Sequence, residues 1–224
     1  MKNIFFKAIV PVFIVLLGIG VIWWKADRGK NTTPTLNHKL TASISTSRPP
    51  AVPTTIATTQ TIKIVIPPIA DFLTRITKKH FGQYITPATS PVQPERFTGY
   101  HTGVDVEYGD ATTDVPVYSV VDAKVTMAQW VSGYGGLLII QGSINGNERY
   151  ILYGHLRASS LPTVNAEIKQ GDQVGVLGTA YSHETDGERR HLHFAIYAKS
   201  PVDIRGYVPK QSDLSAWEDP LTYY

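Results

Sequence analysis

The sequence predicts a mostly β domain of antiparallel strands, and three observations point to it. Six short runs rich in β-branched and aromatic residues follow one another between residues 116 and 197, separated by glycine-rich corners. The dipeptide Asn145-Gly146 stands between two of them, where it marks a tight hairpin. Helix signals, by contrast, gather in one stretch ahead of the runs.

Taken in order, the chain of 224 residues has room for one ordinary domain plus appendages. From Ala8 to Trp24 every residue is apolar, Gly or Pro, and with Ile4 to Phe6 the run is long enough to cover a hydrocarbon core of about 30 Å. Trp23 and Trp24 fall where an interfacial aromatic belt sits. Residues 1–26 are therefore expected to be an N-terminal membrane anchor, with a signal peptide as the alternative; "VIWWKADRGK" lacks the small-x-small cleavage pattern of the latter. Residues 27–60 are rich in Thr, Ser, Pro and Asn, bury too little apolar surface to fold, and read as a disordered linker. The folded domain is expected over 61–224.

Within it, "PPIADFLTRITKKHFG" (67–82) has Pro68 near its start, Ile69, Phe72, Leu73 and Ile76 at helical spacing, and Lys78, Lys79 and Gly82 at its end, which predicts a short helix before the sheet. The strand-like runs follow: "PVYSVV", "AKVTMAQWV", "GLLIIQ", "RYILYG", "QVGVLG" and "HLHFAIY".

Charge excludes one class of function. Residues 1–60 hold seven Lys+Arg and one acidic residue, so residues 61–224 hold 21 − 7 = 14 basic and 18 − 1 = 17 acidic residues, a net of −3. A mildly acidic domain is a poor electrostatic partner for nucleic acid. The absence of cysteine excludes a disulfide-linked partner and thiolate metal sites.

The histidines carry the chemistry. In "GYHTGVD" (99–105), His101 and Asp105 are plausible metal ligands, yet Thr102, Gly103 and Val104 are poor helix formers, and on a straight strand the two residues would lie about 13 Å apart. If they share an ion, the chain must bend, and Gly103 is the residue that tolerates a bulge or a positive φ. "HLH" sets His191 and His193 on one face of a strand, about 6.6 Å apart at their Cα atoms. His155 closes "RYILYGHL" at a strand end. Each signal alone is weak: an H-x-H arises by chance in roughly one chain in five of this histidine content. His38, His80 and His183 are assigned to the linker, a basic segment end and a solvated loop.

In combination and in order, these residues resemble the lysostaphin-type or LytM-type zinc endopeptidases that cut peptidoglycan peptides. The resemblance runs from about Phe81 to Tyr197 through "GYHTGVD", "VPVYSVVDAKV", "GYGG", "YGHL", "IKQGDQVGVLGTA" and "HLHF". It implies a β-sheet hybrid of the LytM type with a groove over the metal, His101, Asp105 and His193 as Zn2+ ligands, and His155 and His191 as flanking catalytic groups. It further implies that His101 and Asp105 share the ion, with peptidoglycan as the partner and the cell envelope as the location, the catalytic domain lying outside the cytoplasm. Two departures stand out: Ala195 follows "HLHF" where Glu is frequent, and the loop 181–190 is longer and more charged than the Gly-Pro type. Arg189 and Arg190 in that loop directly precede His191, which makes them candidate binders of a substrate carboxylate. The bland alternative pairs them with Glu184, Asp186 or Glu188.

Three other readings compete. A catalytically silent wall-binding or hydrolase-activating module on the same fold generally loses some of the five positions, all intact here. An iron oxygenase facial triad normally spaces its first His and carboxylate two apart and leaves His155 and His191 without a role. A cupin-type barrel lacks its Glu in "HLHFAIYAK".

Overall fold

Alternation along the chain builds the architecture. The computed structural model describes residues 65–224, so the expected anchor at 1–26 and linker at 27–60 lie outside the described residues. Among the described residues no helix is long and apolar enough to cross a membrane. The described residues hold twelve strands in order: β1 (Tyr84–Ile85), β2 (Gly99–His101), β3 (Val104–Glu107), β4 (Pro116–Tyr118), β5 (Ala123–Val131), β6 (Gly135–Ile144), β7 (Asn147–Leu156), β8 (Glu167–Ile168), β9 (Gln173–Val176), β10 (His191–Tyr197), β11 (Tyr207–Val208) and β12 (Trp217–Glu218). Every pairing among them is antiparallel. Each of the six runs predicted from sequence contains a strand.

The main sheet has the order β12-β10-β7-β6-β5-β8, with β3 added against β10. The β6–β7 hairpin turns at Asn145-Gly146, whose φ values of 51° and 79° are those of a two-residue turn that suits the right-handed twist of its strands. Period-two alternation sends Leu138 and Ile140 to one face and Leu137 and Ile139 to the other, so both faces of the sheet are covered. On β10 the even residues Leu192, Phe194 and Ile196 enter the larger core. The odd face carries His191 and His193, and then Ala195 and Tyr197 in the smaller core.

Two short sheets flank the main one: β1-β2-β11 and β4-β9. Between β2 and β3 the chain leaves the small sheet, bends at Thr102-Gly103 and joins the main sheet. That answers how His101 and Asp105 can approach one another. Gly103 is not in the left-handed region; what it supplies is space, because a Cβ there would lie 2.4 Å from the Phe194 carbonyl oxygen on β10.

The predicted helix at 67–82 does not form. Residues 70–75 make turns, opening at Asp71 with φ 50°. The apolar residues chosen for a helical face are used nonetheless: Ile69, Phe72 and Ile76 are buried, while Leu73 is exposed. The following residues run along the free edge of β3, where the amides of Asp105 and Glu107 donate to the carbonyls of Lys79 and Arg75 at 3.0 Å each. A helix would satisfy its own carbonyls and leave those strand amides bare, so the edge outweighs the local propensity.

Candidate metal centre

The register of β3 against β10 assembles the site. His193 stands opposite Asp105 and His191 opposite Glu107, so one face of the pair carries two histidines and two carboxylates. His101 arrives from β2, where it pairs with Tyr207 of β11. Three donor atoms then converge: His101 Nε2 lies 3.0 Å from His193 Nδ1 and 3.3 Å from Asp105 Oδ1, and His193 Nδ1 lies 3.2 Å from the same oxygen.

These distances test the fit to a metal. Bonds of about 2.0–2.1 Å in a tetrahedral arrangement place ligand atoms roughly 3.3 Å apart. The triangle observed has that size, and its donor set of two imidazoles and one carboxylate suits zinc. His101 Nδ1–H donates to the His80 carbonyl at 3.2 Å, which fixes its proton there and turns the Nε2 lone pair toward the triangle. His101, Asp105 and His193 are all buried. Burial pushes the Asp105 carboxyl up, but His191 and His101 beside it prevail and hold it well below the usual carboxylate range.

His155 and His191 stand together at this centre, with ring centroids 4.2 Å apart. His155 lies at the end of β7, as expected, in an irregularity where two residues, Gly154 and His155, lie between Tyr153 and Leu156 and only one, Leu137, lies between their partners Leu138 and Gly136. Its φ of 63° is left-handed, a conformation that costs a non-glycine residue about 1–3 kcal/mol and that re-aims the side chain. Its Nδ1 is buried without a partner. Burial lowers the His155 pKa to about 3 despite opposition from Asp105, so its imidazole is neutral. His191 is likewise pushed well below its ordinary value, by burial first and by Arg189 next. Its Nδ1–H donates to the Arg189 carbonyl at 2.9 Å, leaving the Nε2 lone pair directed at the site. Both imidazoles are thus neutral, and each keeps one ring nitrogen with a free lone pair.

Above the centre opens a groove of about 370 Å³, with Phe97, Val131, Gly133, Tyr134 and Tyr207 among its walls. Tyr134 is a groove residue that the sequence patterns did not single out. Its ring packs between His155 and His193, its hydroxyl donates to the Ile204 carbonyl, and Gly154 gives it room, since a Cβ there would meet the ring at 2.6 Å. The "GYGG" run was its signal. Lys79, also lining the groove, is fully buried and donates to Glu95 at 2.5 Å and to the Tyr207 hydroxyl at 2.8 Å; no sequence pattern links residues 79, 95 and 207.

The charged loop resolves differently for its two arginines. Arg189 lines the groove, but its Nη2 donates to Asp105 and its Nε and Nη2 to Glu107. Arg190, one residue on, projects to the opposite side, donates to the Ala111 carbonyl and does not line the groove. The loop acids pair elsewhere: Glu188 and Asp186 with Arg96, Glu184 with Arg157. His183 stacks on Trp130, with centroids 4.9 Å apart, away from the triangle.

Residues 99–204 match the family model described as Peptidase family M23. Among solved structures, Csd3 of Helicobacter pylori is similar at 24% identity and a TM-score of 0.41, over 66% of this chain and 35% of Csd3. LytU is similar at 26% identity and 0.42, over 65% of this chain and 81% of its own. A zinc-containing peptidase from Vibrio cholerae is similar at 22% identity and 0.37, over 58% and 35%. The chain thus spans about a third of Csd3, and a search of curated proteins gave no significant match.

Proposed function

Since residues 99–204 belong to peptidase family M23 and carry its LytM-type signatures, we propose that this chain is a zinc-dependent endopeptidase acting on peptide bonds of peptidoglycan stems or cross-links. The observation that carries the reading is the triangle of donor atoms with edges of 3.0–3.3 Å, beside two neutral histidines under an open groove. His101, Asp105 and His193 would hold the ion. When bound, zinc supplies a Lewis acid for the scissile carbonyl and brings the pKa of its water down to about 7.

The chain's own residues do the rest. The Nε2 of His191, freed by the bond its Nδ1 makes to the Arg189 carbonyl, is placed to take a proton. His155, held 4.2 Å away by its left-handed backbone, is placed to stabilise developing charge or to return the proton to the leaving amine. Tyr134 packs against His155 and His193, and the apolar walls of Phe97 and Val131 keep the peptide extended across the site. The apolar segment at 1–26 and the linker at 27–60 would hold the domain at the outer face of a membrane within reach of the wall. The test is mass spectrometry of products after incubating the zinc-loaded chain with peptidoglycans of several cross-link types. New amine and carboxyl termini at one bond class are expected, and intact polymer in every case would overturn the reading.

A further inference from the structure

Asp105 divides its two oxygens between two tasks. Oδ1 faces the donor triangle, 3.2 Å from His193 Nδ1 and 3.3 Å from His101 Nε2. Oδ2 lies outside the triangle, 3.5 Å from His191 Nε2, and accepts from Arg189 Nη2 at 2.8 Å. Behind it, the same guanidinium is clasped by Glu107, with Nη2 2.7 Å from Oε1 and Nε 3.0 Å from both oxygens. The line Asp105–Arg189–Glu107 is nearly closed to water: the three side chains are 2%, 6% and 13% exposed.

The backbone sets up this line. Asp105 and Glu107 are two apart on β3 and share a face, as do His191 and His193 on β10 opposite, and Arg189, in the segment that leads into β10, continues the same two-residue rhythm. Arg190 falls out of that rhythm and points elsewhere. Glu107 is further tied to Lys78 at 3.5 Å, so the counter-charge behind Arg189 is itself fixed.

We propose that Arg189 is a positioning residue that occupies Oδ2 of Asp105, so that the carboxylate offers the metal Oδ1 alone and the coordination position that a second oxygen would fill stays open for water and substrate. A carboxylate with both oxygens free can bind in either mode, and a bidentate one crowds a site that needs an open place. Arg189 suits this task better than gripping a substrate. Two of its nitrogens are engaged inside the protein, and the third, Nη1, is buried without reach to solvent. Its side chain and its backbone also act separately: the Arg189 carbonyl holds His191, while the guanidinium holds Asp105. A side-chain substitution therefore leaves the orientation of His191 in place.

The inference rests on the metal site proposed above, and the experiment separates the two. The full chain and its Arg189→Gln and Arg189→Lys variants are stripped of metal, reloaded with zinc alone, and measured by X-ray absorption at the zinc edge and by chelator competition. The unsubstituted chain is expected to hold one zinc with about four ligands. Arg189→Gln should gain about one oxygen ligand, as Oδ2 turns to the metal, and Arg189→Lys, which keeps one donor for Oδ2, should stay near four. If Arg189→Gln does not fold, Glu107→Gln serves in its place: it leaves the guanidinium bound but removes its counter-charge, and should weaken zinc binding by about tenfold. Failure of the unsubstituted chain to bind zinc overturns the site and this inference with it. Zinc bound with the same ligand number in Arg189→Gln, or with the same affinity in Glu107→Gln, overturns the inference alone.

Discussion

Replacing Gly103 by alanine puts a methyl carbon 2.4 Å from the Phe194 carbonyl oxygen and 2.9 Å from Ala195 Cβ. Ordinary contact is short by roughly 1 Å, and the obstacle is backbone, which cannot rotate aside. β3 and β10 must part or buckle by about that much. Phe194 adjoins His193, and the triangle with edges of 3.0–3.3 Å straddles this very seam. Metal sites accept bond-length errors of only about 0.2 Å. Gly103→Ala should therefore weaken zinc binding by about 10- to 100-fold. It should also cost the metal-free protein ~1–3 kcal/mol by overpacking, which lowers Tm by about 2–12 °C for a domain of this size. Chelator competition reads the first quantity and thermal melting in excess chelator the second. An unstrained glycine replaced by alanine gains about 0.4–1 kcal/mol instead, so the sign discriminates. Unchanged zinc affinity together with an equal or higher Tm would refute the close approach and the link drawn from it to the site.

Three further outcomes are expected. Zinc at a thousandfold excess over its Kd should stabilise the chain by ~4.1 kcal/mol, or about 8–16 °C in Tm; Asp105→Ala should lose both the bound zinc and that rise, and stoichiometric zinc retained by the variant would remove the carboxylate from the coordination sphere. His155→Ala and His191→Ala should each lower turnover by on the order of 10²–10⁴ with zinc content unchanged, whereas loss of zinc in either would make that histidine a ligand. Glu95→Gln should cost ~3–5 kcal/mol at neutral pH, because it leaves the buried Lys79 ammonium without its counter-charge. Burial pushes the Glu95 carboxyl up, but Lys79 and the Phe97 amide hold it below its ordinary value. Its contribution is therefore complete above an unfolded pKa of about 4.3 and lost as pH falls through the folded one. The variant should show a shallower acid limb in Tm against pH, and equal Tm at pH 7 would refute the pairing.

The sequence was most informative where one physical rule governs a run of residues. Two-residue alternation located the strands, and a left-handed pair at Asn145-Gly146 located the hairpin. The same alternation placed His191 and His193 on one face. What it could not reveal was register: nothing local says that His193 faces Asp105, or that Arg189 falls in line with Glu107 while Arg190 does not. The segment 67–82 misled for a related reason. Its apolar spacing is truly helical, but the bare edge of β3 competes for its carbonyls, and that edge is invisible until the sheet is assembled. Gly103 was singled out for conformational freedom and proved to matter for its lack of a side chain. The Lys79–Glu95–Tyr207 cluster spans 128 residues of chain and has no sequence signature at all.

The edge contact made by residues 75–79 also bears on how this protein can be cut down. The segment that matches the family ends at 99 on one side and 204 on the other. A fragment trimmed to those limits would lose the carbonyls of Arg75 and Lys79 that cap β3, and Trp217-Glu218 that completes the margin of β10. The strand bearing Asp105 would then offer unpaired amides to any extended chain in solution, the situation in which sheets join edge to edge and proteins aggregate. Loss of activity in such a fragment would report that bare edge, together with the missing His80 carbonyl and Tyr207 that hold His101, rather than missing metal ligands. The smallest autonomous piece should be sought by limited proteolysis from outside residue 65, with the C-terminal turns through Tyr224 retained.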